Sequence, residues 1–179
     1  SRLKPRRIRR EPHGKFRYHV RAKQTKAVSR MMLSTHFSLS ELTKSETATR
    51  KGIDNTPNGT EVESLILLCD NILEPVREHY GIPFVPNSGY RGFTLNREIG
   101  SSDKSQHVTG NAVDFEVPGI DNKEVALWVM KNCDFDQLIL EFYKEGEPTS
   151  GWVHCSYDAD KTHRKTARIF DGRTWTALA

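Results

Sequence analysis

Gln137-Leu-Ile-Leu-Glu-Phe-Tyr143, a polar stretch from Lys144 to Gly151, and Trp152-Val-His-Cys-Ser-Tyr157 decide the fold of this chain. Both apolar runs are short and rich in β-formers, and the residues between them are turn formers. That pattern predicts a β-hairpin. Strand side chains alternate between faces, so Leu138, Leu140 and Phe142 belong to one face, with Val153, Cys155 and Tyr157 opposite them. If Tyr143 pairs with Trp152 at the loop, Glu141 lies directly across from His154, with Cβ atoms about 5 Å apart. Face matching favours this pairing over a one-residue slip.

The surrounding segments fill out an α+β fold with a small antiparallel sheet and helices on one side. Val113 to Val117 alternates apolar with acidic residues and predicts a strand. Lys165 to Phe170 and Arg173 to Leu178 flank Asp171-Gly172, a two-residue turn signal. Ser38 with Glu41 is a capping-box pattern that opens a short helix running to about Arg50. Thr60 with Glu63 repeats it, ahead of apolar residues at helical spacing from Val62 to Val76, with a kink expected at Pro75 and an end at Gly81. Asp121 with Glu124 opens a third helix, with Val125, Trp128 and Val129 on one face.

Charge divides the 179 residues unevenly. Residues 1–31 hold twelve Lys or Arg and one acid, and the remainder holds fifteen basic and twenty-two acidic residues. The net +4 therefore belongs to an arm rather than to the body. The sequence is read as a basic, disordered extension over 1–31 and one domain over 32–179. The arm suits anionic envelope polymers or membrane. With Phe16 and Tyr18 its only aromatics, specific nucleic-acid binding is not expected. No secretory leader or membrane-length apolar run is evident, so synthesis in a cytoplasm is expected. The three cysteines, Cys69, Cys133 and Cys155, have no metal-ligand spacing and read as reduced, mostly buried thiols.

The chemistry concentrates in Ser105-Gln-His-Val-Thr-Gly-Asn-Ala-Val-Asp114 and in Gly151-Trp-Val-His154. Two histidines and a carboxylate are the donor set of a catalytic zinc site that leaves one position open. Asp114 falls on the strand face away from Val113 and Phe115. His107 sits on the loop before it, where Gly110 lets the chain turn tightly. One Zn2+ held by His107, Asp114 and His154 would activate water, with Glu141 as general base. Glu116 shares a face with Asp114 and is the alternative base. Arg91, on the loop before the metal loop, suits a two-pronged contact with a substrate carboxylate. Tyr90, Tyr143 and Trp152 are candidates to line a peptide groove.

Taken together, Ser105, His107, Asp114, Trp152, His154 and Ser88-Gly89-Tyr90-Arg91 resemble the signature of the zinc D-Ala-D-Ala carboxypeptidases and the related phage endolysin peptidases. Leu140-Glu141-Phe142-Tyr143 is similar to the segment before the last histidine in small phage members. The resemblance covers roughly residues 32–175. It implies a hydrolase that acts on peptidoglycan stem peptides at the bacterial cell wall, as carboxypeptidase or endopeptidase, in a lytic phage or prophage setting; a monomer is expected. It also implies that Arg91 and Ser105 face substrate. One departure stands out. Many members carry the catalytic acid three residues before the last histidine, where this chain has Gly151, so Glu141 is the replacement. The competing reading is a virion or wall-binding module that keeps the fold without catalysis.

Overall fold

In a computed structural model, residues 30–179 are described. The basic arm lies outside the described residues, apart from its last two positions. The helical half begins with α1 (Leu39–Thr43) and α2 (Glu46–Lys51). These replace the single helix expected from Ser38 to about Arg50. Ser38 forms the predicted capping box with Glu41, but Ser45 acts as a second N-cap and Lys44 between the helices is extended. A long helical segment follows as α3 (Gly59–Leu68), a π-helical turn (Cys69–Leu73) and α4 (Glu74–Tyr80). Its capping box is Asn58 with Glu61, two residues ahead of the Thr60–Glu63 pair. Both pairs fit the pattern, and asparagine is at least as good a cap as threonine. Pro75 has no N–H for the carbonyl four residues earlier. The helix meets this by widening into the π turn just before it.

After α5 (Phe93–Glu98) comes a 3-10 turn (Gln106–Thr109), β1 (Ala112–Phe115) and α6 (Asn122–Asn132). The remaining strands are β2 (Gln137–Glu141), β3 (Trp152–Ser156), β4 (Thr166–Phe170) and β5 (Trp175–Ala177). They form one sheet in the order β1-β3-β2-β4-β5. Two cross-strand rows build its core face: Val113, Cys155 and Leu138 in one, Phe115, Val153 and Leu140 in the next. All six are fully buried, in one cluster with Leu65 and Leu68 of α3 and Val125 and Val129 of α6. The opposite face therefore carries Asp114, His154, Ile139 and Glu141.

Three strand expectations are corrected. The sheet is mixed rather than antiparallel, because β2 and β4 run parallel. The chain leaving β3 wraps around the start of β2, and Asp136 pins it there. The Asp136 carboxylate, with a side chain only 4% exposed, accepts from Arg164 N at 2.8 Å, Nε at 3.1 Å and Nη2 at 2.9 Å. The β4–β5 link is a four-residue loop rather than a two-residue turn, since Phe170 pairs with Trp175. The Asp171 carboxylate accepts the N–H groups of Arg173 and Thr174, which closes the loop.

The third correction concerns the β2–β3 hairpin. Glu141 pairs with Trp152, and Ile139 stands opposite His154. The register is shifted by two residues from the sequence reading. Phe142 has φ 56°, which ends β2 one residue earlier than Phe142 itself and two before Tyr143. Gly151 closes the hairpin at φ 63°, so near β2 that an added Cβ would lie 1.9 Å from the Glu141 carbonyl oxygen. A shift of two preserves the face of every side chain, so Glu141 stays on the face of His154.

Two outcomes follow from these contacts. Gly151→Ala combines a left-handed backbone with a clash against main chain and should cost at least about 2 kcal/mol, read as a lower urea midpoint. Arg164 holds the Asp136 carboxyl below its ordinary range, so the stabilisation is complete above the unfolded value of about 4 and erodes as pH falls below it. Asp136→Asn should lose about 1–3 kcal/mol at pH 7, Arg164 being half exposed, and the gap to the parent chain should narrow on acidification to about pH 2. A gap that stays constant with pH would rule out the ionised pair as its source.

Candidate metal centre

Asp114 and His154 are direct partners across β1 and β3, and this pairing brings the carboxylate to the ring. Asp114 Oδ1 lies 2.8 Å from His154 Nδ1. His107 enters from the 3-10 turn ahead of β1, with Nε2 3.3 Å from Asp114 Oδ2. Ser105 caps that turn by accepting from His107 N, and Gly110 ends it at φ 75°. Asp114 and His154 thus lie on the shared face that alternation gives them, and Gly110 makes the tight turn expected after His107.

The tautomer of His107 is set from behind. Its Nδ1 is 2.7 Å from the Gly89 carbonyl oxygen, an acceptor only, so Nδ1 carries the proton and Nε2 presents a lone pair. One ring nitrogen of His107, one of His154 and an Asp114 carboxylate oxygen lie within 4.8 Å of one another. A tetrahedral zinc with bonds of about 2.0–2.1 Å sets its ligands about 3.3 Å apart, a spacing this group reaches with small adjustments. Two imidazoles and a carboxylate, with no fourth His, Cys, Asp or Glu in the group among the described residues, fit a zinc with an open position.

The electrostatics agree with that use. Burial pushes the His107 pKa down, which favours the neutral ring that a metal needs. Burial opposes ionisation of Asp114, but the charges and hydrogen bonds of the two histidines outweigh it and hold its carboxyl below the ordinary range. Glu141 reaches to 3.8 Å from His154 Nδ1, with a side chain about one-fifth exposed. Burial raises its pKa, only partly offset by His154. Arg91 lies near enough that Asp114 and Glu141 act on its charge, although burial works against it. Its Nε is buried without a partner among the described residues.

Residues 35–156 match one known protein family, described as Peptidase M15. The chain belongs to the peptidase M15 family. M15 peptidases are zinc metallopeptidases, so this chain is an enzyme of that class, and the group His107, Asp114 and His154 is where it has the donors for zinc. No curated protein matches the chain significantly.

The other residues marked in the sequence are distributed around that group. Trp152 borders it as the cross-strand partner of Glu141, with its ring 5.2 Å from that of Phe142. Tyr90 is not brought to it: the ring is buried in the core cluster, and burial together with Glu61 pushes its hydroxyl up to about 12. Tyr143 bonds to Asp121, on the far side of the hairpin bend. Both oxygens of Glu116 are engaged, one by Asn122 Nδ2 at 3.0 Å and one by Asn87 Nδ2 at 3.1 Å.

Three contributors were not singled out in the sequence. The Gly89 carbonyl orients His107. Asn122, fully buried, holds the Ser150 and Gly151 carbonyls at 3.1 Å just before β3. Asp136 accepts from Gln106 Nε2 at 3.0 Å and so steadies the turn that carries His107. None has a periodic or motif signal; the Ser-Gly-Tyr-Arg segment pointed to Arg91, and Gly89 is inside it.

Replacing either histidine should abolish stoichiometric zinc. Removing a residue that merely orients a ligand already costs about 10–100-fold in affinity, and a lost ligand should cost more. Metal analysis of His107→Ala and His154→Ala after dialysis against a weak chelator reads this directly. Full zinc retention in both would rule out the assignment.

Proposed function

We propose that this metallopeptidase hydrolyses peptide bonds in peptidoglycan stem peptides, with His107, Asp114 and His154 as zinc ligands and Glu141 as general base. The observation that carries the reading is the position of Glu141. Its carboxylate stands 3.8 Å from His154 Nδ1, on the sheet face that also carries Asp114, with a raised pKa. Bound zinc would supply Lewis acidity, polarising the scissile carbonyl and acidifying water. Glu141 takes the proton from the attacking water and delivers it to the leaving amine. A pKa raised toward the working pH suits both halves of that task. Glu116, with both oxygens engaged by amides, is less free to act.

Arg91 is the group to hold a substrate carboxylate, since a guanidinium binds two oxygens at once. Ser105 supports the turn bearing His107, and Trp152 forms the wall beside Glu141. The retained base speaks against a purely structural module. Action at the bacterial wall, by a lytic or a carboxypeptidase route, fits this set of residues. The +11 arm is suited to attachment to anionic envelope polymers.

The full chain incubated with purified peptidoglycan should release peptides or D-alanine, and a chelator should stop it. Absence of hydrolysis with zinc supplied would overturn the reading. Glu141→Gln preserves shape and should keep one zinc per chain while kcat falls about 10²–10⁴-fold. A Glu141→Gln enzyme with near-parent kcat would transfer the role of base elsewhere, with Glu116 next to be tested.

A further inference from the structure

A cleft opens on the side of Arg91. It has a volume of about 720 Å3, within the usual range of about 300–1,000 Å3 for sites that take small ligands. One wall is the strip from Asn87 to Arg91, which is bound directly to the metal loop. Asp114 N donates to the Ser88 carbonyl at 2.8 Å, and Arg91 N donates to the His107 carbonyl at 3.1 Å. The other wall is α2 and the break before it, contributing Lys44, Glu46 and Arg50. Arg91 is common to the cleft and to the field of Asp114 and Glu141, so it joins the two.

Its charge is distinctive. Three cations, Lys44, Arg50 and Arg91, line it against one acid, Glu46. Among the described residues no carboxylate forms an ion pair with any of the three. Elsewhere on the surface such pairs are common: neighbouring Lys51 meets Glu98, Arg97 meets Asp103, and Lys123 meets Glu145. Unpaired cations around a concave surface focus a positive potential into it.

We propose that this cleft seats an acidic residue of the substrate peptide, with Lys44 and Arg50 binding a carboxylate additional to the one that Arg91 holds. The inference rests on the reading of the centre as a peptidase of stem peptides and assigns it a preference. A peptide crossing the metal centre and passing Arg91 enters the cleft next. Asn87 and Ser88 supply polar groups along its wall, and Lys44 and Arg50 stand across from them. The occupant is an acidic peptide segment.

The test uses the full, zinc-loaded chain and two synthetic tripeptides with free C-terminal carboxylates, identical except that a side-chain carboxylate is free in one and amidated in the other. Calorimetry should show the acid form binding about tenfold or more tightly, as expected for charge-assisted hydrogen bonds. Lys44→Ala/Arg50→Ala should erase that preference. Arg77→Ala/Arg173→Ala removes equal charge outside the cleft and should leave it intact. No preference in the parent chain overturns the proposal, as does a preference that survives the cleft variant or disappears equally in the control pair. If the parent chain fails to hydrolyse peptidoglycan but keeps the acid preference, the proposed function falls and the cleft assignment stands.

Discussion

The pairing of Asp114 with His154 across β1 and β3 is the constraint on which the rest of the site depends. Residues directly opposite in an antiparallel pair share a face and a fixed separation. A carboxylate and an imidazole at that position are held by two rigid strands, with no loop entropy to overcome when a cation arrives. The helices complete this by occupying the other face. Apolar burial by Val113, Phe115, Leu138, Leu140, Val153 and Cys155 fixes which way the sheet faces, and so leaves Asp114, His154 and Glu141 pointing away from the core. Core packing and site geometry are two sides of one register.

Much of this was legible in the sequence because it depends on period-two alternation. The shared face of Asp114, His154 and Glu141 follows from which residues alternate with which, whereas His107 was found through its loop motif and not through alternation. The exact partner of Glu141 was not legible. It depends on Phe142 entering the left-handed region and on Gly151 packing against the Glu141 carbonyl, neither of which has a periodic signature. The assignment of face survived because the error was an even number of residues. Tyr90 shows the opposite failure. Its neighbour Arg91 goes toward the metal loop, while Tyr90 packs among the helices, and adjacency in a motif does not distinguish the two directions.

The parallel β2–β4 pair was likewise invisible locally. Nothing in Thr166 to Phe170 states whether the strand pairs with β3, its predecessor, or passes around it to β2. At the start of β2 one buried carboxylate, Asp136, gathers Arg164 from the crossing loop and Gln106 from the turn that carries His107. Such hubs are read from coordinates, since their partners here lie about thirty residues away on either side in sequence.

That hub lies partly beyond the segment the family match covers. The family match stops at residue 156, at the last residue of β3. Arg164, which neutralises Asp136, and β4, which gives β2 its second neighbour, both come later. The segment shared with relatives contains every metal donor, yet it is not the segment that closes the sheet. A fragment cut at the homology boundary would keep the ligands but expose an unpaired edge of β2 and a buried anion without its counter-charge. The family match and the sheet of this enzyme therefore have different C-terminal limits.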